Sequence, residues 1–371
     1  MPNIKHKIIA EDGNARITSF KTAHGTVETP FFMPVATKMA VKHLTSSDLK
    51  KIKIQAIIAN ALLLEFSKGS NQIKERGGIH KLMNFNKSIF TDSGGFQMIL
   101  STFHQETTKK GVIFQNPYIK QNVLVTPERI TKIQEDIGSD AAMILDDHNA
   151  HTHGKQKHAS AVKQTYEWGK RCLEAKTKSK QLMFGIIQGG TYSDLRKKSA
   201  QLMGSLNFDG MALGGLATGE PMTIMKKIVT TTIKHIDKNK PRYLMGLGSP
   251  VEMINTIGMG IDCFDSAYPT KNARHKTLFT MNGKIDIDKG RYKDDDNPIE
   301  EDCDCYACKN YSKAYIHHLV RTHEPIALRL KTYHNVFFMQ RLMNDVKIAI
   351  KENRFKKFEK DFAKKWKKKS A

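Results

Sequence analysis

Gly260–Arg274 reads Gly-Ile-Asp-Cys-Phe-Asp-Ser-Ala-Tyr-Pro-Thr-Lys-Asn-Ala-Arg, and the reading of its first half decides the fold. Ile261–Phe264 is a short, mostly apolar run. It ends on a carboxylate, Asp265, and a proline-broken basic segment, Pro269–Arg274, follows at once. A short apolar run of this kind suits a strand buried on both faces of a parallel sheet. If the sheet closes into a barrel, chemistry gathers at the C-terminal strand ends. Asp265 then stands at the barrel mouth, beside a patch suited to a phosphate-rich partner.

Seven more runs of the same kind precede it: Phe31–Ala36, Gln55–Ala59, Ser88–Thr91, Ala142–Leu145, Met183–Ile187, Gly210–Leu213 and Arg242–Met245. Helix signals lie between most of them. Thr126-Pro127-Glu128 places a threonine cap and a first-turn proline ahead of a helix to Ile137. Lys155–Lys176 and Ser193–Gly204 are amphipathic. Strand then helix, repeated eight times, predicts an α/β chain folded as a (β/α)8 TIM barrel. Ahead of it, Ile4–Ala10, Ala15–Thr22 and Thr26–Thr29 predict an antiparallel sheet, turned at Glu11–Asn14. Gly111–Tyr118 and Gln121–Val125 read as an extra hairpin between the third and fourth barrel strands. The predicted organisation is one catalytic domain over 1–371. Within it lie a sheet cap over 1–30, a metal-binding insertion over 300–340 and a basic helix and tail over 341–371.

The predicted strand ends carry Asn60, Asp92, Asp146-Asp147, Gln188, Gly214-Gly215, Gly246 and Asp265. Helix caps explain one or two such residues, not a whole set where an active site must be. Two carboxylates at one mouth can divide the labour of glycosidic exchange, one attacking the anomeric carbon and the other moving the proton of the departing group. Asp92, in Phe90-Thr-Asp-Ser-Gly-Gly-Phe-Gln97, and Asp265 are the candidates, and residue chemistry alone does not say which does which. The glycines after Asp92 admit a ligand close to the backbone, and Phe96 offers a flat face.

Composition narrows the partner. The 371-residue chain carries a formal charge of +23, with 39% hydrophobic residues and no apolar run near the length of a membrane helix. A polar N-terminus without a signal core points to the cytoplasm. The charge suits a polyanion, most simply a nucleic acid. Of five cysteines, Cys303, Cys305 and Cys308 cluster as Cys-x-Cys-x-x-Cys, which argues for a metal rather than disulfides. A closed structural zinc site wants a fourth ligand, and spacing leaves His317, His318, His323 and His334 open.

Taken together, these segments resemble one family, the tRNA-guanine transglycosylases or queuine tRNA-ribosyltransferases. The resemblance is carried by Thr91–Gln97, Phe184–Gly190, Ala212–Ala217 with Gly219-Glu220, Arg242–Gly246, Phe264-Asp265 with Pro269-Thr270, and the cysteine cluster. It implies exchange of guanine at the wobble position, 34, of tRNAs with a GUN anticodon for a 7-deazaguanine, preQ1 or queuine, through a covalent ribosyl-enzyme. Asp265 would be the nucleophile and Asp92 the proton acceptor and general acid/base. Asp92, Ser93, Gly94, Gly95, Phe96, Asp146, Gln188, Gly215 and Met245 would line the base site. Gly246, Leu247, Gly248, Ser249, Pro250, Val251 and Glu252 would contact RNA, as would Thr270, Lys271, Asn272, Ala273 and Arg274. The resemblance picks His334, of the pair His334-Asn335, as fourth ligand to one Zn2+ per subunit, and implies a homodimer.

Several positions leave the family pattern. Asn60-Ala-Leu-Leu-Leu64 stands for Asn-Thr-Tyr-His-Leu, Asp147-His148 for Glu-Cys, Ser266 for cysteine and Lys271 for arginine. These bear on substrate choice more than on reaction type. Two rival readings follow: the same exchange on DNA or another tRNA position, and a non-catalytic RNA-binding subunit. His148, His151, His153 and His158 read as a solvated, histidine-rich loop. Val336–Trp366 reads as one long helix with Phe355, Phe358, Phe362 and Trp366 on its apolar face and lysines opposite.

Overall fold

The computed structural model of the protein describes residues 5–95, 98, 102–178 and 180–368. Strands β1 (His6–Asp12), β2 (Ala15–Thr22) and β3 (Gly25–Glu28) form the expected antiparallel sheet. Then come β4 (Phe31–Pro34), β5 (Ala56–Asn60) and β6 (Ser88–Asp92). A side sheet follows, β7 (His104–Thr107), β8 (Val112–Gln115) and β9 (Asn122–Val125). The chain returns through β10 (Ala141–Met143), β11 (Leu182–Ile187), β12 (Gly210–Leu213), β13 (Arg242–Leu244) and β14 (Cys263–Ser266). A last hairpin is β15 (Thr277–Thr280) with β16 (Gly283–Asp286).

The eight parallel strands are ordered β4-β14-β13-β12-β11-β10-β6-β5. Between β4 and β5 a parallel bridge pairs Val35 with Ile58, and Ala36 N–H donates to the Ile58 carbonyl at 2.7 Å. The sheet is thereby a barrel, and every predicted apolar run supplies one of its strands. Its interior holds Phe31, Phe90 and Phe184, each at most 1% exposed, with the Phe90 and Phe184 rings edge to face at 5.8 Å. The first sheet seals the barrel floor: buried Arg16 grips the Asp262 carboxylate with both Nε and Nη2, and Asp262 also accepts from Arg242 N–H at 2.7 Å. A two-pronged guanidinium–carboxylate pair satisfies the donors that burial would otherwise leave unpaired.

Two expectations need correction. The insertion after β6 is three-stranded, because β7 pairs β8 on the edge that a hairpin would leave open. The tail is two helices, Ile326–Lys351 and Phe355–Lys368. Asn353 takes a left-handed backbone, φ +54°, a conformation asparagine tolerates. Arg354 N–H then returns to the Ala349 carbonyl at 2.9 Å, and Phe355 N–H is received by Asp12 Oδ2 at 2.7 Å. The second helix thus starts near the barrel floor, where Phe355 lies against Gly258. It ends with Trp366 against Phe279 and Phe338, ring centroids 5.9 and 5.7 Å apart.

Candidate active site and metal centre

Asp92 ends β6 and Asp265 lies in β14, so the barrel brings both to one mouth, close enough that the Asp265 charge raises the Asp92 pKa. Asn60 closes β5 and caps the helix Ala61–Ser67, its Oδ1 accepting from Leu63 N–H at 2.8 Å. Its Nδ2 donates to Asp92 Oδ1 at 2.7 Å, where Gly94 N–H also donates at 2.9 Å. Those donors favour the carboxylate, but burial, then the charges of Asp265 and Asp146, outweigh them. The Asp92 pKa is pushed up to about 7. A buried acid poised there exchanges protons readily at neutral pH.

Asp265 receives two donors on one oxygen: Tyr243 OH at 2.5 Å and Gly246 N–H at 2.8 Å, both to Oδ1. Burial raises its pKa, and these bonds work against the rise. The Tyr243 phenol is itself pushed well up, through burial and the Asp265 charge, and stays a donor. Tyr243 is missing from the sequence reading. The available signal was one hydroxyl in a short buried strand, Arg242–Leu244.

Asp146 follows β10 and is buried; Gln188 Nε2 donates to its Oδ2 at 2.6 Å. Burial, and then the Asp147 charge, push its pKa up to about 7. Glycine is required around this pair. A β-carbon on Gly95 would lie 2.2 Å from Asp146 Oδ1, and one on Gly215 (φ +65°) would lie 2.6 Å from Gln188 Oε1. Arg196, also absent from the sequence reading, is fully buried. It donates to the carbonyls of Ile187 and Gly190, both at 2.8 Å, and of Gly215 at 3.4 Å, tying the loops after β11 and β12. Ser93 is buried behind Asp92, and Met245 is half-buried after β13. Phe96 lies outside the described residues.

The two segments expected to touch RNA flank Asp265. Gly246–Glu252 leads into the helix Pro250–Ile257, and Thr270–Arg274 completes the helix Tyr268–Arg274. Within the second, Thr270 and Ala273 are buried and Lys271 is exposed. Within the first, Leu247, Gly248 and Pro250 are buried, Ser249, Val251 and Glu252 half-buried and Gly246 exposed. Exposed backbone and long polar side chains are therefore what these segments offer.

The histidine-rich loop is not solvated throughout. His158 is 1% exposed under Tyr192, and His148 sits beside Asp146, 3.9 Å from Oδ2, with its pKa pushed down to about 4 by burial. His158 belongs to the helix Lys155–Ala175 and is one of its buried residues.

Cys303, Cys305, Cys308 and His334 converge. His334 Nδ1 lies 3.8, 3.5 and 3.4 Å from the three sulfurs in turn. A tetrahedral ion with metal–sulfur bonds of ~2.3 Å and metal–nitrogen bonds of ~2.1 Å spaces sulfur and nitrogen ~3.6 Å apart, so the donors fit a bound metal. His334 Nε2 is 2.7 Å from the Phe279 carbonyl, which puts the proton on Nε2 and frees Nδ1 as ligand. His317 is not in the converging group, and its Nδ1 lies 2.8 Å from the Ile287 carbonyl.

Comparison with known proteins gives a consistent result. The family described as queuine tRNA-ribosyltransferase matches residues 11–368. A protein of that name from Fusobacterium nucleatum is 41% identical over 362 residues, covering 97% of each chain. One from Thermoanaerobacter sp. is 40% identical over 369 residues, covering 99% of this chain and 98% of that one. One from Staphylococcus aureus is 40% identical over 365 residues, covering 98% of this chain and 96% of that one.

Proposed function

The chain belongs to the queuine tRNA-ribosyltransferase family, and from that premise we propose that it exchanges guanine 34 of tRNAs with a GUN anticodon for a 7-deazaguanine, preQ1 or queuine. The observation that carries this reading is the pairing at the mouth: one carboxylate oriented by two donors, and a second poised near neutrality. Tyr243 and Gly246 both hold Oδ1 of Asp265, which leaves Oδ2 to attack C1′ of the ribose. As that bond forms, the C1′–N9 bond breaks with its electron pair leaving on guanine, and protonated Asp92 supplies a proton to the departing base. The incoming base gives its N9 proton to Asp92. Its N9 attacks C1′, and the ester bond breaks to restore the Asp265 carboxylate. One N-glycosidic bond is lost and one made, so no nucleotide triphosphate is required.

Asp146 would accept from the N1–H and exocyclic amine of the base, and Gly215 would offer backbone groups to its other edge. Met245 and Phe96 would sandwich the ring. A flat base reached in this way must leave its stack, and an anticodon loop presents such bases already unpaired. Gly246–Glu252 and Thr270–Arg274 would hold that loop. The convergent cysteines and His334 would hold a structural Zn2+, and a homodimer goes with the same reading. Among the described residues no helix is long and apolar enough to cross a membrane.

Radiolabelled guanine tests the reading. Wild type should label tRNA, and Asp265→Ala should not. Full labelling by Asp265→Ala would remove the nucleophile from the scheme, and labelling of DNA alone would move the substrate. Competition between preQ1 and queuine in the same assay identifies the incoming base.

A further inference from the structure

The helix Phe355–Lys368 has one packed face and one bare face. Phe355, Phe362 and Trp366 are buried, with the Phe362 and Trp366 rings stacked at 5.3 Å. Away from that face stand Lys357, Lys360, Lys364 and Lys365, all exposed. Among the described residues none of their ammonium groups has a hydrogen bond or an ion-pair partner. The same helix can make such a pair, since Lys356 binds Glu359 at 2.7 Å. Lys360 follows Lys357 by three residues and Lys364 follows Lys360 by four, so like charges are neighbours along one ridge. Neighbours of like charge weaken a helix. Asp361 shares that side, yet no lysine pairs with it among the described residues. A face kept only for solubility does as well with both signs interspersed.

Packing carries this ridge to the barrel mouth. The helix starts at the floor, where Asp12 receives Phe355 N–H. It rises ~20 Å over its fourteen residues. At its far end the Trp366 ring lies 5.9 Å from that of Phe279, and Phe279 stacks at 5.8 Å on Tyr268. Tyr268 comes three residues after Asp265 and opens the helix Tyr268–Arg274, part of which is expected at the RNA. Lys284, on β16, reaches the same tyrosine, Nζ to OH at 2.5 Å. The lysine-bearing end of the last helix is thus two ring contacts from the helix that follows the Asp265 strand.

We propose that Lys357, Lys360, Lys364 and Lys365 form a cradle for the sugar-phosphate backbone of the stem that carries the anticodon loop. The proposal rests on the tRNA reading above and adds a surface to it, outside both segments named there. A loop whose base enters the mouth leaves its stem outside the rim, and the last helix ends on the rim beside the Asp265 strand. From Lys357 to Lys365 the helix rises ~12 Å, and a nucleic-acid strand presents a phosphate about every 3.4 Å of its axis, so three to four phosphates fall along the ridge. Exposed lysines neutralise phosphates without reading base edges, which suits a stem held by its charge rather than its sequence.

Lys357→Gln, Lys360→Gln, Lys364→Gln and Lys365→Gln together remove the charges and keep good helix formers on an exposed face. The expected result is an unchanged melting temperature, kcat and KM for guanine, with the KM for tRNA raised about tenfold at low salt. The slope of log KM(tRNA) against log salt becomes shallower by about 2 to 3, at ~0.7–0.9 for each phosphate released. An unchanged tRNA KM and slope overturn the proposal. A short single-stranded RNA with the loop sequence alone should show the same KM in both proteins; a rise there equal to that for tRNA moves the contact to the loop and overturns the stem assignment. Should tRNA behave alike with both proteins while phosphatidylserine vesicles retain wild type and not the variant, the face belongs to a membrane surface and the proposal falls. If wild type exchanges no guanine, the reaction reading fails alone. Filter binding of tRNA at several salt concentrations then still decides the surface: weaker, less salt-sensitive binding by the variant sustains it and equal binding ends it.

Discussion

Gly95→Ala tests the base site with one methyl group. The added carbon would stand 2.2 Å from Asp146 Oδ1 and 3.1 Å from its Cγ. Even a close carbon–oxygen contact keeps ~3.3 Å, so the carboxylate has to move by about 1 Å. It has little room to do so, because Gln188 Nε2 holds Oδ2 at 2.6 Å. Gln188 is itself hemmed in: β-carbons on Gly214 and Gly215 would lie 2.8 and 2.6 Å from its amide atoms. The Asp146–Gln188 pair must therefore give way together. A misplacement of ~1 Å in a positioning group costs about 10²-fold in rate. Asp146 is proposed to touch the base and not the ribose or phosphates. The loss should then fall on kcat/KM for guanine, by about 10²-fold, with tRNA affinity in filter binding unchanged. Gly154→Ala is the control, since a β-carbon there meets nothing within 4 Å. A Gly95→Ala enzyme whose kcat/KM for guanine stays within about threefold of wild type would refute Asp146 as the base-edge acceptor.

Two further predictions concern the other groups. Asp92 keeps its proton to about pH 7 in the fold, against an ordinary value of 3.8, so the native state binds more protons than the unfolded chain between those values. Its contribution to stability is present below pH ~4 and is lost as pH rises through ~7, by at most about 4 kcal/mol. Asp92→Asn should lessen the fall of the melting temperature between pH 4 and pH 7, Asp146 still supplying part of it, and raise the value at pH 7. A wild-type pH slope in that variant would contradict the shift. His334→Ala removes one donor and the bond to the Phe279 carbonyl, and should lower bound metal, read by elemental analysis, from about one ion per chain towards none, with a fall in melting temperature. Full metal content in the variant would reassign the fourth ligand.

The barrel was legible because each strand is a local apolar run, and burial on both faces writes itself into a few adjacent residues. The cysteine cluster was legible for the same reason, being local, while the choice of His334 over His317 needed the family pattern. What stayed hidden depends on distant pairs. Tyr243 is an ordinary strand residue until β13 and β14 lie side by side and its hydroxyl reaches Asp265. Arg196 reads as one of several cations on an amphipathic helix, yet it faces inward and joins two loops. Lys331 is one lysine among many by composition and a buried one by packing. The tail was read as one helix because Phe355, Phe358, Phe362 and Trp366 keep helical spacing. The break depends on Asn353 and on Asp12, at the other end of the chain, receiving Phe355 N–H.

Residues that leave the expected family pattern lie against the turn that follows Asp92, the proposed proton-transfer group. Where the pattern has tyrosine and histidine, this chain has Leu62 and Leu63, both within the helix that Asn60 caps and both buried. Leu62 packs against the turn after Asp92: a β-carbon on Gly94 would lie 2.7 Å from the Leu62 Cβ and Cδ2. The floor under the Asp92 turn is therefore hydrocarbon, where the pattern would place groups able to hydrogen-bond. Burial is the leading cause of the high Asp92 pKa, and Asn60 and Gly94 are the donors that oppose it. Replacing polar neighbours with leucine removes possible donors to the carboxylate without touching those two. Leucine there adds no donor to the Asp92 carboxylate, which Asn60 and Gly94 still orient. If Asp92 moves the proton of the exchanging base as proposed, such a change shifts the pH at which exchange is fastest and leaves the proposed role of Asp265 alone.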